Sequence, residues 1–135
     1  MIKKVILRTD GGARGNPGPA AYGFAIEDAS GKVIQQGSKF LGVKTNNEAE
    51  YLGLIAGLEE AKKLKAAEVT CFLDSELVVK QLNQEYRVKD KNLGTLFVKV
   101  WNLAQSFKKV EYKHVLRGQN KRADWLLNQV LNRHS

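Results

Sequence analysis

Apolar residues in the first third of the chain fall in short runs and alternations, and after Thr45 they fall at helical spacing. Residues 2–10 read as a strand, and residues 11–19 read as a turn-rich loop built of Gly11, Gly12, Gly15, Asn16, Pro17, Gly18 and Pro19. Two further strands, 20–27 and 32–40, flank Asp28-Ala29-Ser30-Gly31, a hairpin signal. Tyr51, Leu54, Ile55, Leu58 and Ala61 then share one helical face. Thr45, with Glu48 three residues on, is a capping box that starts this helix. Residues 69–73 form a short, continuous apolar strand, followed by a helix over about 75–83. Another helix over about 93–107 carries Leu96, Val100 and Leu103. A last strand, 110–116, leads to a helix opened by Asn120, with Ala123, Leu126, Leu127, Val130 and Leu131 on one side.

The order βββαβααβα predicts an α/β fold, a mixed sheet with helices packed on its faces. The strands at 69–73 and 110–116 are reached through helical connections, so each should lie parallel to its neighbour. With 135 residues and no linker, repeat or low-complexity tract, the chain fits one domain spanning 1–135.

Composition adds one strong feature, a formal net charge of +8. Lysines and arginines that neutralise phosphates release condensed counterions, so a polyanion is the first partner to consider. Lys80, Arg87, Lys89, Lys91, Lys99, Lys108, Lys109 and Lys113 gather in the second half with Tyr86, Phe97 and Trp101 among them. This is either a phosphate-tracking surface or a solvated helical face. A single cysteine, Cys71, excludes an intramolecular disulfide, and its apolar strand predicts a buried, inert thiol. No apolar run approaches the roughly 20 residues of a membrane span. The start, Met1-Ile2-Lys3-Lys4, lacks the long apolar stretch of a signal peptide. A cytoplasmic protein without a membrane partner is expected.

Against this basic background four acids stand where patterned segments meet loops or helix starts: Asp10, Glu50, Asp74 and Asp124. Carboxylates at the ends of central strands are costly to cluster unless a cation neutralises them, so convergence would point to divalent metal. Each has a structural alternative. Asp10 could form an Asx turn before Gly11-Gly12, and Asp74-Ser75 could be a strand end and helix cap. Asp124 would be favoured by the dipole of its helix in any case. Glu48 already has a capping role and Glu50 has none, but a helical wheel does not separate them.

Taken together, four blocks closely resemble the type 1 ribonuclease H family. They are Asp10-Gly11-Gly12-Ala13-Arg14-Gly15-Asn16-Pro17-Gly18-Pro19, Thr45-Asn46-Asn47-Glu48-Ala49-Glu50-Tyr51, Asp74-Ser75, and Asn120-Lys121-Arg122-Ala123-Asp124. The resemblance covers nearly the whole chain, in the family's order. It implies a ribonuclease H-like, five-stranded mixed sheet, three antiparallel strands then two parallel, with helices on both faces. It implies a metal-dependent endoribonuclease that hydrolyses the RNA strand of RNA–DNA hybrids, leaving 5′-phosphate and 3′-hydroxyl ends. Asp10, Glu50, Asp74 and Asp124 match the four metal-ligand positions for two Mg²⁺ ions, with Mn²⁺ as a substitute. The motif selects Glu50 over Glu48. By the same resemblance Gly11, Gly12, Ala13, Asn16, Asn46, Asn47 and Gln81 lie beside the minor groove, where the 2′-hydroxyl is read. Thr45 and Asn92 match positions that grip a phosphate of the DNA strand. A monomer is expected.

Two departures from the family pattern matter. The stretch 84–92 is short, so the basic handle of many bacterial members is absent here. The family's histidine in a flexible loop before the last helix has a counterpart by spacing in His114, ten residues before Asp124, but His114 falls in a strand pattern. Arg117, in the shortened loop Arg117-Gly118-Gln119, is expected to take the catalytic loop role. An arginine would act electrostatically rather than by shuttling a proton. Alternatives outside this reading are cleavage of double-stranded RNA as well, or an inactive hybrid-binding module.

Overall fold

A computed structural model describes residues 3–134. Its elements run β1 (Lys4–Ala13), β2 (Gly18–Glu27), β3 (Val33–Lys44), α1 (Asn46–Lys63), β4 (Glu68–Leu73), α2 (Glu76–Leu82), α3 (Lys91–Ala104), β5 (Lys109–His114) and α4 (Lys121–Arg133). A single 3₁₀ turn, Arg117–Gln119, joins β5 to α4. The strands form one sheet in the order β3-β2-β1-β4-β5. The pairs β1–β2 and β2–β3 are antiparallel, and β1–β4 and β4–β5 are parallel, as the helical connections required. Ile2, at the start of the expected first strand, lies outside the described residues.

Strand alternation divides the apolar residues between two faces. Val5, Leu7, Phe24, Ile26, Val69, Cys71 and Leu73 pack with Tyr51, Leu54 and Leu58 of α1, Val78 of α2 and Val100 of α3 in the main core. On the opposite face Ala21 packs with Leu127, Val130 and Leu131 of α4, beside Phe40 of β3. The buried apolar face of α4 is the one the helical spacing predicted. In α1 Tyr51, Leu54, Leu58 and Ala61 are buried as predicted, while Ile55 is only partly covered and Ala49, Glu50, Gly53 and Gly57 are buried as well. Cys71 is buried and free, and burial pushes its thiol up. Among the described residues no helix is long and apolar enough to cross a membrane.

The Gly-rich segment departs from expectation. It is not a loop over 11–19: the β1–β2 ladder continues through Gly11↔Tyr22, Gly12↔Ala21 and Ala13↔Ala20, leaving only residues 14–17 to turn. Arg14 N–H closes that turn onto the Pro19 carbonyl at 2.9 Å. Gly11 is there for close approach, since a Cβ would collide with the Ala49 carbonyl and the Glu50 nitrogen. Gly23 serves the same purpose on the other face, under Ala123 and Leu126 of α4. The two helices that carry Glu50 and Asp124 therefore lie against the sheet at glycines. The third helix stops at Ala104 rather than 107, and β5 at His114, leaving Leu116 exposed.

Candidate active site

The parallel ladder between β1 and β4 ends at Thr9↔Leu73, and the next residue of each strand is an acid. Asp10 and Asp74 therefore emerge side by side where two central strands part. Glu50 arrives from α1, and the Gly11 N–H donates to its Oε1 at 2.7 Å. Ligand oxygens of Asp10, Glu50 and Asp74 all lie within 4.8 Å of one another. Asp124, in the first turn of α4, lines the same cavity without joining that tight group; its N–H donates to the Asn120 carbonyl at 3.0 Å. The cavity, about 510 Å³, is also lined by Gly11, Gly12, Ala13, Asn46, Asn47 and Arg117.

Such crowding has an electrostatic cost. Asp10 is 3% exposed and Glu50 4%. Burial, then the charge of Asp74, pushes the Asp10 carboxyl up to about 8. Burial, then the charges of Asp10 and Asp74, holds Glu50 well above the usual carboxylate range, against the opposing pull of the Gly11 N–H. Asp74 is raised by burial and pulled back by Arg117. Asp10 Oδ2 and Glu50 Oε2 are buried without a hydrogen-bond partner. Unpartnered buried polar atoms are rare in folded proteins, so these two mark a place for a ligand. The donor set is all carboxylate oxygen, which suits a hard divalent cation.

The helix cap separates the two glutamates as the motif did. Glu48 Oε1 accepts from Thr45 N–H at 3.0 Å, and Thr45 Oγ1 accepts from Glu48 N–H at 3.1 Å. Asn46 and Asn16 are stitched to the turn: Ala13 N–H donates to Asn46 Oδ1 at 2.8 Å, and Asn46 N–H donates to Asn16 Oδ1 at 3.0 Å. Thr45, Asn47 and Asn92 line a separate cavity of about 230 Å³ together with Asn16, Glu48 and Asp90. Gln81 stands apart. It is buried, accepts the Tyr51 hydroxyl at 2.9 Å, and borders a cavity with Tyr86 and Arg87 rather than the acids.

Arg117 Nε lies 3.7 Å from Asp74 Oδ2, with its side chain 82% exposed. His114 is exposed at the end of β5, paired in register with Leu73, and is not among the residues lining the acidic cavity. Part of the basic cluster is already paired: Lys80 with Glu76 at 3.3 Å and with the Tyr86 ring, Lys109 with Glu111 at 3.8 Å.

Sequence reasoning missed one residue beside the site. Asn120 was expected to open α4, but its side chain makes no cap bond to the helix. Instead its amide donates to the Thr9 carbonyl at 3.0 Å and the Phe72 carbonyl at 2.9 Å. It thereby ties the start of α4 to both strands at the point where Asp10 and Asp74 emerge. No spacing rule signals such a long-range contact.

Residues 8–130 match a family model described as reverse transcriptase-like. The chain is 43% identical over 130 residues to the bifunctional protein Rv2228c of Mycobacterium tuberculosis, covering 96% of this chain and 36% of that one. It is 39% identical to ribonuclease HI of Halobacterium salinarum, covering 91% of this chain and 62% of that one. The chain thus spans less than two thirds of either curated relative. Among solved structures, the N-terminal ribonuclease H domain of Rv2228c superposes with a TM-score of 0.94 at 43% identity, covering 96% of this chain and 94% of that chain. LC11-RNase H1 in complex with an RNA/DNA hybrid superposes with a TM-score of 0.92 at 37% identity, covering 96% and 98%. A tight acidic group on this fold, at these identities, identifies the chain as a member of the ribonuclease H family, close to its type 1 enzymes.

Proposed function

We propose that this chain is a metal-dependent endoribonuclease that hydrolyses the RNA strand of RNA–DNA hybrids, leaving 5′-phosphate and 3′-hydroxyl ends. The carrying observation is the tight group of Asp10, Glu50 and Asp74, in which Asp10 and Glu50 are buried and each has a carboxylate oxygen without a partner. A pure binding module gains nothing from negative charge clustered beside phosphates. Likeness to an RNase H1 solved with a hybrid supports that duplex as the substrate.

Asp10, Glu50, Asp74 and Asp124 are the residues that would hold Mg²⁺, two ions in our reading, with Mn²⁺ as a substitute. When bound, the cation supplies Lewis acidity for attack of water on the phosphodiester and departure of the 3′ oxygen. The chain's own residues do the rest. The Gly11 N–H holds one oxygen of Glu50, so the other is presented in a fixed direction. Arg117 offers a positive charge at the open side of the cavity, where charge builds on a phosphate in the transition state. The oxygens of Asn16 and Asn46 are occupied by backbone N–H groups, which leaves their NH₂ groups as donors to a 2′-hydroxyl. Gly11, Gly12 and Ala13 bring strand backbone to the cavity wall beside them. Thr45 and Asn92 are assigned to a phosphate of the DNA strand, and Asn47, which borders both cavities, to the minor-groove side with Asn46. The two acids in their cavity, Glu48 and Asp90, are already engaged as helix caps.

The test is a cleavage assay on end-labelled hybrid, double-stranded RNA and duplex DNA, with and without Mg²⁺. Cleavage of the hybrid only, and only with the ion, is expected. Equal cutting of double-stranded RNA would assign the broader substrate range. Binding of hybrid without cleavage would reduce the chain to a binding module.

A further inference from the structure

Arg8 is a charged residue in the middle of a central strand, and its partners account for that placement. It lies on β1 two residues before Asp10, hence on the same face of the sheet. Its guanidinium carbon sits 4.9 Å from the centre of the Phe72 ring, on the neighbouring strand two residues before Asp74. Nε donates to Glu27 Oε2 at 3.0 Å, an ion pair with both side chains largely shielded from solvent. Nη1 donates to the Gln119 carbonyl at 3.1 Å and to Asn120 Oδ1 at 3.4 Å. One side chain thus spans β2, β4 and the turn that precedes α4.

That turn carries Arg117. Its internal bonds are Leu116 N–H to Gln119 Oε1 at 2.9 Å, Gln119 N–H to the Leu116 carbonyl at 2.9 Å and Asn120 N–H to the Arg117 carbonyl at 3.1 Å. Before the turn, Val115 N–H ties the chain to the Leu73 carbonyl at 2.9 Å. The Arg117 side chain itself is mostly solvated and reaches Asp74 only at 3.7 Å. The position of Arg117 is therefore set by its backbone. The backbone is tied to the sheet through Gln119 and Asn120, the two residues that Arg8 grips. Asn120 in turn fixes the strand ends beside the acids.

We propose that Arg8 is a positioning residue for catalysis: it clamps the Arg117–Gln119 turn to the sheet and so holds Arg117 over the Asp74 side of the acidic cavity. It touches neither substrate nor cation. A lysine would not substitute, because a point charge cannot lie flat on Phe72 while forking between Glu27 and a backbone carbonyl. The inference rests on the nuclease reading only for its kinetic consequence; the clamp itself is a statement about the fold.

Two readouts separate those parts. The first is amide hydrogen exchange across the turn in Arg8→Met, an apolar replacement of similar length. Gln119 and Asn120 amides should exchange at least about tenfold faster while core strands keep their protection. The second is steady-state kinetics on a labelled hybrid for wild type, Arg8→Met, Arg117→Ala and the double variant. Arg8→Met should lower kcat about tenfold with KM within about twofold, since a small misplacement of a catalytic group is felt in the chemical step. In the Arg117→Ala background the same change should cost less than about twofold, because the group it positions is gone. Arg8→Lys should resemble Arg8→Met. If Arg8→Met does not fold, Glu27→Gln loosens the same clamp and should show the same pattern more weakly. Unchanged exchange at Gln119 and Asn120 would overturn the proposal, as would rate losses that multiply in the double variant. Faster exchange in Arg8→Met, together with a wild-type protein that cuts no hybrid, would leave the clamp standing and sink the nuclease reading instead.

Discussion

The two sides of the acidic cavity are held in opposite ways. On one side, Asp10 and Glu50 are almost fully buried, and α1 lies so close to β1 at Gly11 that a single methyl has no room. On the other, Arg117 rides a 3₁₀ turn with its side chain in solvent, and nothing lies near a Cβ added at Gly118. The difference teaches what each side can contribute. The buried side stores the cost of crowded charge that makes a cation welcome, and it needs a rigid core to do so. The open side needs room for a polynucleotide to enter and leave, so its residues are tethered rather than packed.

The largest effect should come from striking the buried side. Asp10→Asn is expected to reduce hybrid cleavage on the order of a thousandfold or more, measured as single-turnover rate with Mg²⁺. Thermal stability without metal should hold or rise, because the variant removes a carboxyl whose ionisation burial and Asp74 oppose. Next in size is a matched pair of glycine changes. Gly11→Ala should destabilise by roughly 1–3 kcal/mol in denaturant unfolding and lose activity with it, since α1 must move off β1. Gly118→Ala should stay within about 0.5 kcal/mol. A tolerated Gly11→Ala would erase the contrast between the two sides.

Arg117→Ala tests the open side by itself. Turnover should fall about tenfold while hybrid affinity changes less than about twofold, the signature of a contact made late on the reaction path. The smallest effect is expected at His114. It ends β5, as the strand pattern implied, and it is exposed and does not line the acidic cavity. His114→Ala should leave rate unchanged and stability within about 0.5 kcal/mol in the same assays. A rate loss at His114 with none at Arg117 would reassign the loop role.

The same contrast governs how much was readable from the chain alone. Asp10 and Asp74 stood out because each ends a strand pattern, and these two meet Glu50 in the tight acidic group; the choice of Glu50 over Glu48 came from the resemblance, the capping box giving only a lean toward it. The parallel pairing of β4 and β5 with their neighbours followed from the helices that precede them. The Gly-rich segment misread as a loop because Gly11 and Gly12 carry turn chemistry in any local rule, while here both lie in the strand and Gly11 is needed because a helix lies across it. Arg8 and Asn120 stayed hidden for a similar reason. Their partners lie more than a hundred residues away in sequence, at Gln119 and Thr9. An arginine in mid-strand was the only local hint. Gln81, placed beside the minor groove by resemblance, has a partner no local rule signals: it is buried and accepts the Tyr51 hydroxyl.

The central claim, that the fold holds an acid cluster at a cost which a divalent cation removes, is tested most directly by unfolding stability against pH. The folded Asp10 carboxyl keeps its proton up to about 8, whereas an ordinary aspartate releases it near 3.8. Between those values the native state binds more protons than the unfolded one, so in chelator stability should fall as pH rises from about 5 to about 8. The raised Glu50 and Asp74 carboxyls act in the same direction. Saturating Mg²⁺ should abolish or reverse that decline, because the ionised carboxylates are then the ones that bind. Asp10→Asn should flatten it and weaken the response to the ion. A wild-type protein whose stability in chelator is level across this range, and which Mg²⁺ does not raise at about pH 8, would contradict the account.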